Sequence, residues 1–196
     1  MPFPKISRYN KECIVTEKID GTSACICIGG DGGLLTGSRA GWITLYDDNF
    51  GFARWVCEHK EEISSLGPGR HFGEWWGSGI QRGYGLKNGA KRFSLFNTVR
   101  WGTIRPACCD VVPILWQGTF DDLNIHAIME SLLKRGSSAS IGFMRPEGIV
   151  IYHAAAHIGF KKTFEKTALE SGTKNLSHKN ISVSCFFLLT IAYDIE

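Results

Sequence analysis

The amino-acid sequence predicts an α+β fold built mainly from antiparallel sheet. Most of its apolar segments are short, alternating or β-branched, and bounded by turn-forming residues, which is typical of strands. Only two segments show helical spacing of apolar residues. The 196 residues contain no internal repeat or low-complexity block. A chain of this length can bury a substantial core, so the pattern predicts mixed strands and helices around one.

The first predicted strands lie close to the N-terminus. CIVTEK at 13–18 and SACICI at 23–28 are β-branched or alternating. The Asp20-Gly21 pair between them is a common turn sequence. We therefore expect these two segments to form an antiparallel hairpin, with LLTGSR at 34–39 as a third strand.

Two segments predict helices. Residues 48–66 carry apolar side chains at helical spacing, with Asp47 or Asp48 as the N-cap and Gly-Pro-Gly at 67–69 as the stop. DDLNIHAIMESLLKRG at 121–136 has a capping residue, helical spacing and a terminal glycine. Further strands are expected at HFGEWW (71–76), RFSLFN (92–97), VVPILW (111–116), EGIVIYH (147–153) and GFKKTF (159–164).

Composition excludes some classes of protein and leaves others open. The net charge of +3 is compatible with a polyanionic partner without requiring one. Seven cysteines form no CxxC pair; Cys25 and Cys27 could bind a metal, but no second pair with zinc spacing completes that site. We expect unpaired cysteines in a reducing, cytoplasmic compartment. The N-terminus has no signal-peptide core, and the apolar run at 181–193 is too short to span a bilayer.

Lys18 stands two residues before the Asp20-Gly21 pair in TEKIDGTSA, at 16–24. Taken alone, KIDG at 18–21 is typical of a solvated hairpin, because lysine is common at strand ends and Asp-Gly is a common turn. The rest of the chain changes that interpretation.

Six short motifs occur in an order that resembles the covalent nucleotidyltransferase superfamily, which contains ATP-dependent DNA ligases, RNA ligases and mRNA capping enzymes. Each motif alone is a weak signal, whereas the ordered set is a strong one. The motifs are KIDG (18–21), Ser38-Arg39, FGEW (72–75), RFSLF (92–96), EGIV (147–150) and FKK (160–162).

Within the superfamily the sequence is most similar to RNA ligases of the T4 RNA ligase 2 type. The resemblance implies an ATP-grasp-like nucleotidyltransferase domain of mostly antiparallel sheets with flanking helices. We expect this adenylyltransferase domain to occupy residues 1–170. The tail at 171–196 is too short for the oligonucleotide-binding domain that usually follows in DNA ligases.

The resemblance implies an ATP-dependent reaction with Mg²⁺ or Mn²⁺. Lys18 would attack the α-phosphate of ATP and form a lysyl-AMP. AMP would move to an RNA 5′-phosphate, and a 3′-hydroxyl would then displace AMP and seal the strand. A nucleophilic lysine needs burial or nearby positive charge, because lysine is protonated at neutral pH. The RNA substrate, nicked duplex or broken strand, and the oligomeric state are left open.

The resemblance also assigns the phosphate and metal ligands. Lys161 is the candidate that neutralises the α-phosphate, and Glu147 is the candidate metal ligand. Lys162 could be the second lysine of its motif, but an adjacent strand residue points to the other face. Lys166 or Lys174 could serve instead.

The remaining candidates bind the nucleotide. Glu74 would accept hydrogen bonds from the ribose hydroxyls, and Arg39 would bind a phosphate or the terminal ribose. Phe96 would stack on the base, while Phe93, on the opposite strand face, would belong to the core.

The residues on either side of Lys18 complete the candidate site. The resemblance places Glu17 beside the adenine, whereas Asp20, followed by Gly21 of the same motif, could instead hold the turn. The glycine-rich stretch at 77–85 fits no phosphate-loop motif, so we interpret it as a flexible hairpin loop that touches nucleic acid through Arg82.

Two further hypotheses are left open. The chain could be another covalent nucleotidyltransferase, either a DNA ligase or a capping guanylyltransferase. It could also be a non-catalytic RNA-binding relic of the fold.

Overall fold

The computed structural model describes residues 6–164 of the chain. These residues divide into two compact units, one comprising 19–112 and the other 6–18 with 113–164. The predicted boundary at residue 170, the lysines at 166 and 174 and the apolar run at 181–193 lie outside the described residues. No helix of the described part is long and apolar enough to cross a membrane.

The described part contains mixed strands and helices, as the sequence predicts. The strands are β1 (Glu12–Lys18), β2 (Thr22–Ile28), β3 (Leu34–Ser38), β4 (Gly41–Ile43), β5 (Gly69–Gly77), β6 (Lys91–Leu95), β7 (Cys109–Val111), β8 (Ile114–Thr119), β9 (Gly148–His153) and β10 (Ile158–Thr163). The helices are α1 (Phe52–Glu58), α2 (Lys60–Ile63), α3 (Thr98–Trp101) and α4 (Ile125–Arg135).

The unit 19–112 is built on a six-stranded sheet in the order β4-β3-β2-β5-β6-β7. Its strand pairs are antiparallel except for β6 with β7, which are parallel. Alternate strand residues such as Ile26, Trp75 and Phe93 pack against Phe52 and Val56 of α1. Because strand side chains alternate, one sheet face forms this core and the other face carries a different set of residues.

The second unit has a four-stranded antiparallel sheet in the order β10-β9-β1-β8. Val15 of β1 and Ile149 and Ile151 of β9 are buried together with Met129 and Leu132 of α4. Lys18 is the last residue of β1, so this sheet positions it.

Two strand predictions differ from the structure, one in its pairing and the other in its continuity. The segments at 13–18 and 23–28 are strands, but they do not form a hairpin. β1 pairs with β8 and β9, whereas β2 pairs with β3 and β5. The predicted strand at 111–116 is split, because Pro113 has no N–H to donate and separates β7 from β8, which lie in different sheets.

The helix predictions are confirmed with one change. The region 48–66 is helical but broken into α1, α2 and a 3₁₀ turn. The side chain of Asp48 accepts hydrogen bonds from the N–H groups of Ala53 and Arg54. Asp48 therefore supplies the cap, although Gly51, in the left-handed region, occupies the N-cap position itself.

Candidate active site

Lys18 forms an ion pair with a carboxylate of the same unit. Its Nζ lies 2.5 Å from Oε2 of Glu147, and the two side chains are only 24% and 15% exposed. Glu147 directly precedes β9, and Gly148 is the register partner of Lys18 across the β1–β9 ladder. The sheet therefore brings together two candidates that lie 129 residues apart in the chain.

Gly148 is required at this point of the ladder. Its φ is 153°, and a Cβ there would collide with the carbonyl oxygen of Lys162 on the neighbouring strand. The absence of a side chain thus lets β9 and β10 approach each other beside the Lys18–Glu147 pair. This explains the Glu-Gly sequence in physical terms.

The two candidate lysines of β10 point to opposite faces of the sheet. Lys161, Val150 and Thr16 lie opposite one another on β10, β9 and β1, so their side chains share one sheet face. Lys18 lies two residues after Thr16 on β1 and therefore shares that face too. Lys162 is opposite Ile149 and so lies in the row of Glu17. Lys161 therefore shares the sheet face of Lys18, and Lys162 does not.

Glu17 is buried, with 1% of its surface exposed. Its Oε2 accepts hydrogen bonds from the backbone N–H groups of Ser138 and Ala139, at 2.7 and 3.0 Å. Its Oε1 is buried and has no hydrogen-bond partner among the described residues. Burial raises the pKa of Glu17 above its ordinary value, and the hydrogen bonds from this segment oppose that rise. Oε2 of Glu17 thus fixes residues 138 and 139, which follow α4, to β1.

Glu74 lies on β5 and is 9% exposed. Its Oε1 accepts a hydrogen bond of 3.1 Å from the N–H of Gly21. A Cβ on Gly21 would collide with the carbonyl oxygen of Trp75 and lie 2.8 Å from Cβ of Trp76. Only glycine permits this close approach, so the KIDG motif is fixed to β5 through its glycine.

Asp20 is fixed by the loop that follows β5. Its N–H donates to the hydroxyl of Tyr84 at 3.0 Å, and its carboxylate accepts from Nε of Arg82 at 2.8 Å. Tyr84 is fully buried and packs edge-on against Trp76, although its φ of 48° is in the left-handed region. The interpretation of 77–85 as a flexible hairpin loop is therefore wrong, because buried packing and these two contacts hold it.

The register of the larger sheet relates Arg39 and Phe96 to Glu74. Glu74 is opposite Ser23 and Ser94. Arg39 follows the partner of Ala24, which places it opposite Ser23 in the turn after β3. Phe96 follows β6, and its N–H donates to the carbonyl of Phe72, so it continues the face of Ser94.

The two phenylalanines of RFSLF divide as the alternation predicts. Phe93 is fully buried in the core with α1, whereas Phe96 is partly exposed on the opposite face. The partly exposed ring of Phe96 therefore lies on the sheet face of Glu74.

The described residues contain no cluster of three or more His, Cys, Asp or Glu side chains that could hold a metal ion. Burial, the largest cause, and the neighbouring Cys27 raise the pKa of Cys25 to about 11, so Cys25 is a neutral thiol near pH 7. Mg²⁺ and Mn²⁺ are instead commonly held by one or two carboxylates together with substrate phosphates and water. Glu147 fits that kind of site.

Sequence reasoning did not find Tyr84 or the backbone of Ser138 and Ala139. Both act through contacts with residues far away in the chain, from 64 to 122 positions. The one available signal was the density of glycines around Tyr84, which indicates an unusual backbone but not its partner.

Comparison with known proteins agrees with these observations. A family model described as RNA ligase matches residues 11–167. A search of curated protein sequences finds no match. A variant of the Naegleria gruberi RNA ligase with ATP and Mn has a TM-score of 0.59 and 21% identity over 84% of this chain. An archaeal ATP-dependent RNA ligase has a TM-score of 0.56 and 16% identity over 82%.

The solved structures show the fold at these identities, and they confirm the predicted α+β nucleotidyltransferase architecture. This chain spans about half of their length, 53% of the Naegleria protein and 48% of the archaeal one.

Proposed function

The chain belongs to the RNA ligase family, and from this we propose that it is an ATP-dependent RNA ligase that seals 3′-hydroxyl and 5′-phosphate ends. The observation that supports the proposal most strongly is the Lys18–Glu147 pair at 2.5 Å, on a sheet face that Lys161 shares. Lys18 at the end of its strand can attack a phosphate, Lys161 on the same face can neutralise it, and Glu147 beside Lys18 can hold a divalent cation there.

In the first step, Nζ of Lys18 forms a bond to the α-phosphorus of ATP. The bond between the α-phosphorus and the bridging oxygen breaks, and pyrophosphate leaves with the electron pair. Nζ attacks as the neutral amine: it gives one proton to water before the attack and a second as the P–N bond forms, and the contact with Glu147 must open for Nζ to reach the phosphorus. Departure of Glu147 from Lys18 is therefore part of the activation.

A divalent cation fits this arrangement, because Glu147 offers the hard oxygen that Mg²⁺ or Mn²⁺ prefers. When bound, the ion supplies positive charge at the phosphates. Lys161 would add a fixed positive charge on the face of Lys18, where the transferring phosphate gains negative charge.

The second step returns Lys18 to its starting state: an oxygen of the RNA 5′-phosphate attacks the α-phosphorus, the P–N bond breaks, and Nζ takes back from water the protons that it lost. The third step joins the two RNA ends. The 3′-hydroxyl gives its proton to water and its oxygen attacks the phosphorus of the 5′-phosphate, AMP leaves with the electron pair of the broken P–O bond, and the phosphodiester bond is closed.

Each candidate nucleotide-binding residue takes its role from the geometry around it. In 19–112, Glu74 would bind the ribose, Phe96 would stack on the base and Arg39 would bind a phosphate or ribose. Glu17 has one buried oxygen without a partner in the described part, which suits an amino-group donor such as that of adenine.

The test separates the last step from the first. We expect the wild-type protein, with ATP and a divalent cation, to join RNA with a labelled 5′-phosphate so that the label resists phosphatase. Lys18→Ala should fail in that reaction but seal RNA that already carries a 5′-adenylate. If wild-type protein that forms lysyl-AMP seals neither RNA, the ligase assignment of this chain is wrong.

A further inference from the structure

The face of the six-stranded sheet opposite to its core carries an exposed aromatic surface beyond the candidate nucleotide residues. In one row across the sheet, Trp42 is opposite Gly37, Gly37 is opposite Cys25, and Cys25 is opposite Phe72. The N–H of Phe96 bonds to the carbonyl of Phe72 and extends this row. The row therefore runs from β4 to the end of β6.

The outer end of this face is open. Trp42 is 57% exposed and Leu35 is 59% exposed, and Phe72 is partly exposed. Gly37 lacks a side chain, and a Cβ there would lie 3.4 Å from the Trp42 ring. The indole of Trp42 therefore lies over the position of Gly37. It presents a flat surface on this face and does not pack into the core. We call Leu35, Trp42, Arg70 and Phe72 the Trp42 face.

The charge on the Trp42 face is positive. Arg70 is exposed, in the row that also contains Cys27 and Leu35, and its charge opposes the rise that burial causes in the pKa of Cys25. Two acids on the same side of the sheet each have a partner. Glu74 accepts from Gly21, and Asp110 lies 3.8 Å from Arg92 at the other end of the sheet.

From this geometry we infer that the Trp42 face binds the single-stranded end of the RNA substrate. Exposed aromatic rings on a sheet, with an arginine beside them, suit stacked bases and a phosphate backbone. A protein partner would not require the arginine, and its binding would not show the salt dependence of a polyanion that Arg70 contacts. The inference rests on the proposed function for the identity of the ligand as RNA.

Trp42 lies far from Phe96 on this sheet face, whereas Phe72 adjoins Phe96. Four strand spacings separate β4 from β6, which is roughly 19 Å at about 4.8 Å per strand. A change at Trp42 therefore leaves Phe96 and Glu74 in place, and lysyl-AMP formation provides an internal control for folding.

The experiment measures binding of a fluorescent, 5′-phosphorylated single-stranded RNA by anisotropy, over a series of salt concentrations. Trp42→Ala should weaken binding roughly tenfold, and Trp42→Phe should restore most of it, because either ring can stack. Arg70→Ala should weaken binding and reduce the salt dependence by about one counterion. Ile104→Ala and Arg54→Ala, exposed residues elsewhere on the unit, are the matched controls.

Lysyl-AMP formation in the absence of RNA is measured on every variant. Equal RNA affinity of the Trp42 and Arg70 variants and the two controls would overturn the inference, whatever the lysyl-AMP result. Absence of lysyl-AMP from the wild-type protein would instead count against the proposed function, while the binding comparison would still decide the role of the Trp42 face.

Discussion

At the scale of single residues, the two adjacent lysines of β10 provide a sharp comparison. Lys161 shares the face of Lys18, whereas Lys162 lies in the row of Ile149 and Glu17. We predict that Lys161→Ala reduces the rate of lysyl-AMP formation by about 10²- to 10³-fold, the usual effect of removing one group that stabilises developing charge. Lys162→Ala should stay near the wild-type rate. Single-turnover labelling with ATP measures both.

The paired substitutions control for each other, because they remove the same charge from neighbouring positions of one strand. A rate loss in Lys162→Ala as large as that in Lys161→Ala would show that net charge, and not position on the sheet face, is what matters.

Gly21 allows a prediction about stability. A Cβ at this position meets the backbone of Trp75 and the Cβ of Trp76, neither of which can rotate away. Gly21→Ala should lower the free energy of unfolding by roughly 1–3 kcal/mol, because the chain must shift away from β5. Urea denaturation measures the change. Gly30→Ala is the control, since nothing lies within 4 Å of its added Cβ; equal effects at both positions would contradict the contact argument.

Much of the candidate site could be predicted at this scale, but its contacts could not. KIDG and the Glu-Gly sequence at 147–148 are local patterns that can be recognised in a single chain. The N–H of Gly21 donates to Glu74, 53 residues away in the chain, and the N–H of Asp20 donates to Tyr84, 64 residues away. Both hydrogen bonds depend on strand register and loop packing. Sequence periodicity carries no information about such partners.

At the scale of elements, the link between β1 and the segment after α4 depends on a buried carboxyl group. Burial raises the pKa of Glu17 above its ordinary value of 4.5, so folding favours the protonated form. This contribution to stability is fully present below pH 4.5 and is lost as the pH rises through the raised pKa. Glutamine does not titrate and should not show that loss.

We therefore predict that the stability of Glu17→Gln, relative to the wild type, rises as the pH increases from about 4.5 towards neutrality. The slope should approach about 1.4 kcal/mol per pH unit between the two pKa values. Urea denaturation of both proteins at a series of pH values measures the difference, and the other carboxyl groups cancel in it. A difference that is independent of pH would contradict the raised pKa.

Element types were easier to predict than their partners. Alternation and β-branching identified most strands, and helical spacing with Asp48 identified α1 and α2. The Asp20-Gly21 pair was wrongly interpreted as a hairpin turn, because turn-forming residues indicate a change of direction without indicating which strand comes next to which. β4 and α3, with three and four residues, are too short to give a periodic pattern.

At the scale of the whole molecule, the chain consists of two compact units, and the KIDG motif spans the point where one ends and the other begins. Lys18 closes β1 of one sheet, whereas Asp20 and Gly21 are held by residues of the unit 19–112. The order of motifs predicted the fold correctly because the motifs lie on strands of the two sheets or at the turns that follow them. The division into two sheets could not be predicted, because every strand is short and similar in composition.

Lys18 is proposed here as the nucleophile of an ATP-dependent nucleotidyl transfer. The most direct measurement incubates the protein with α-labelled ATP and a divalent cation, without RNA, and detects label that survives denaturation. We predict that the wild-type protein becomes labelled and that pyrophosphate removes the label. The Lys18→Arg protein should carry no label, because arginine keeps the positive charge beside Glu147 but is not nucleophilic. No label on folded wild-type protein, or equal labelling of Lys18→Arg, would contradict the account; label from GTP alone would indicate a capping-type enzyme instead.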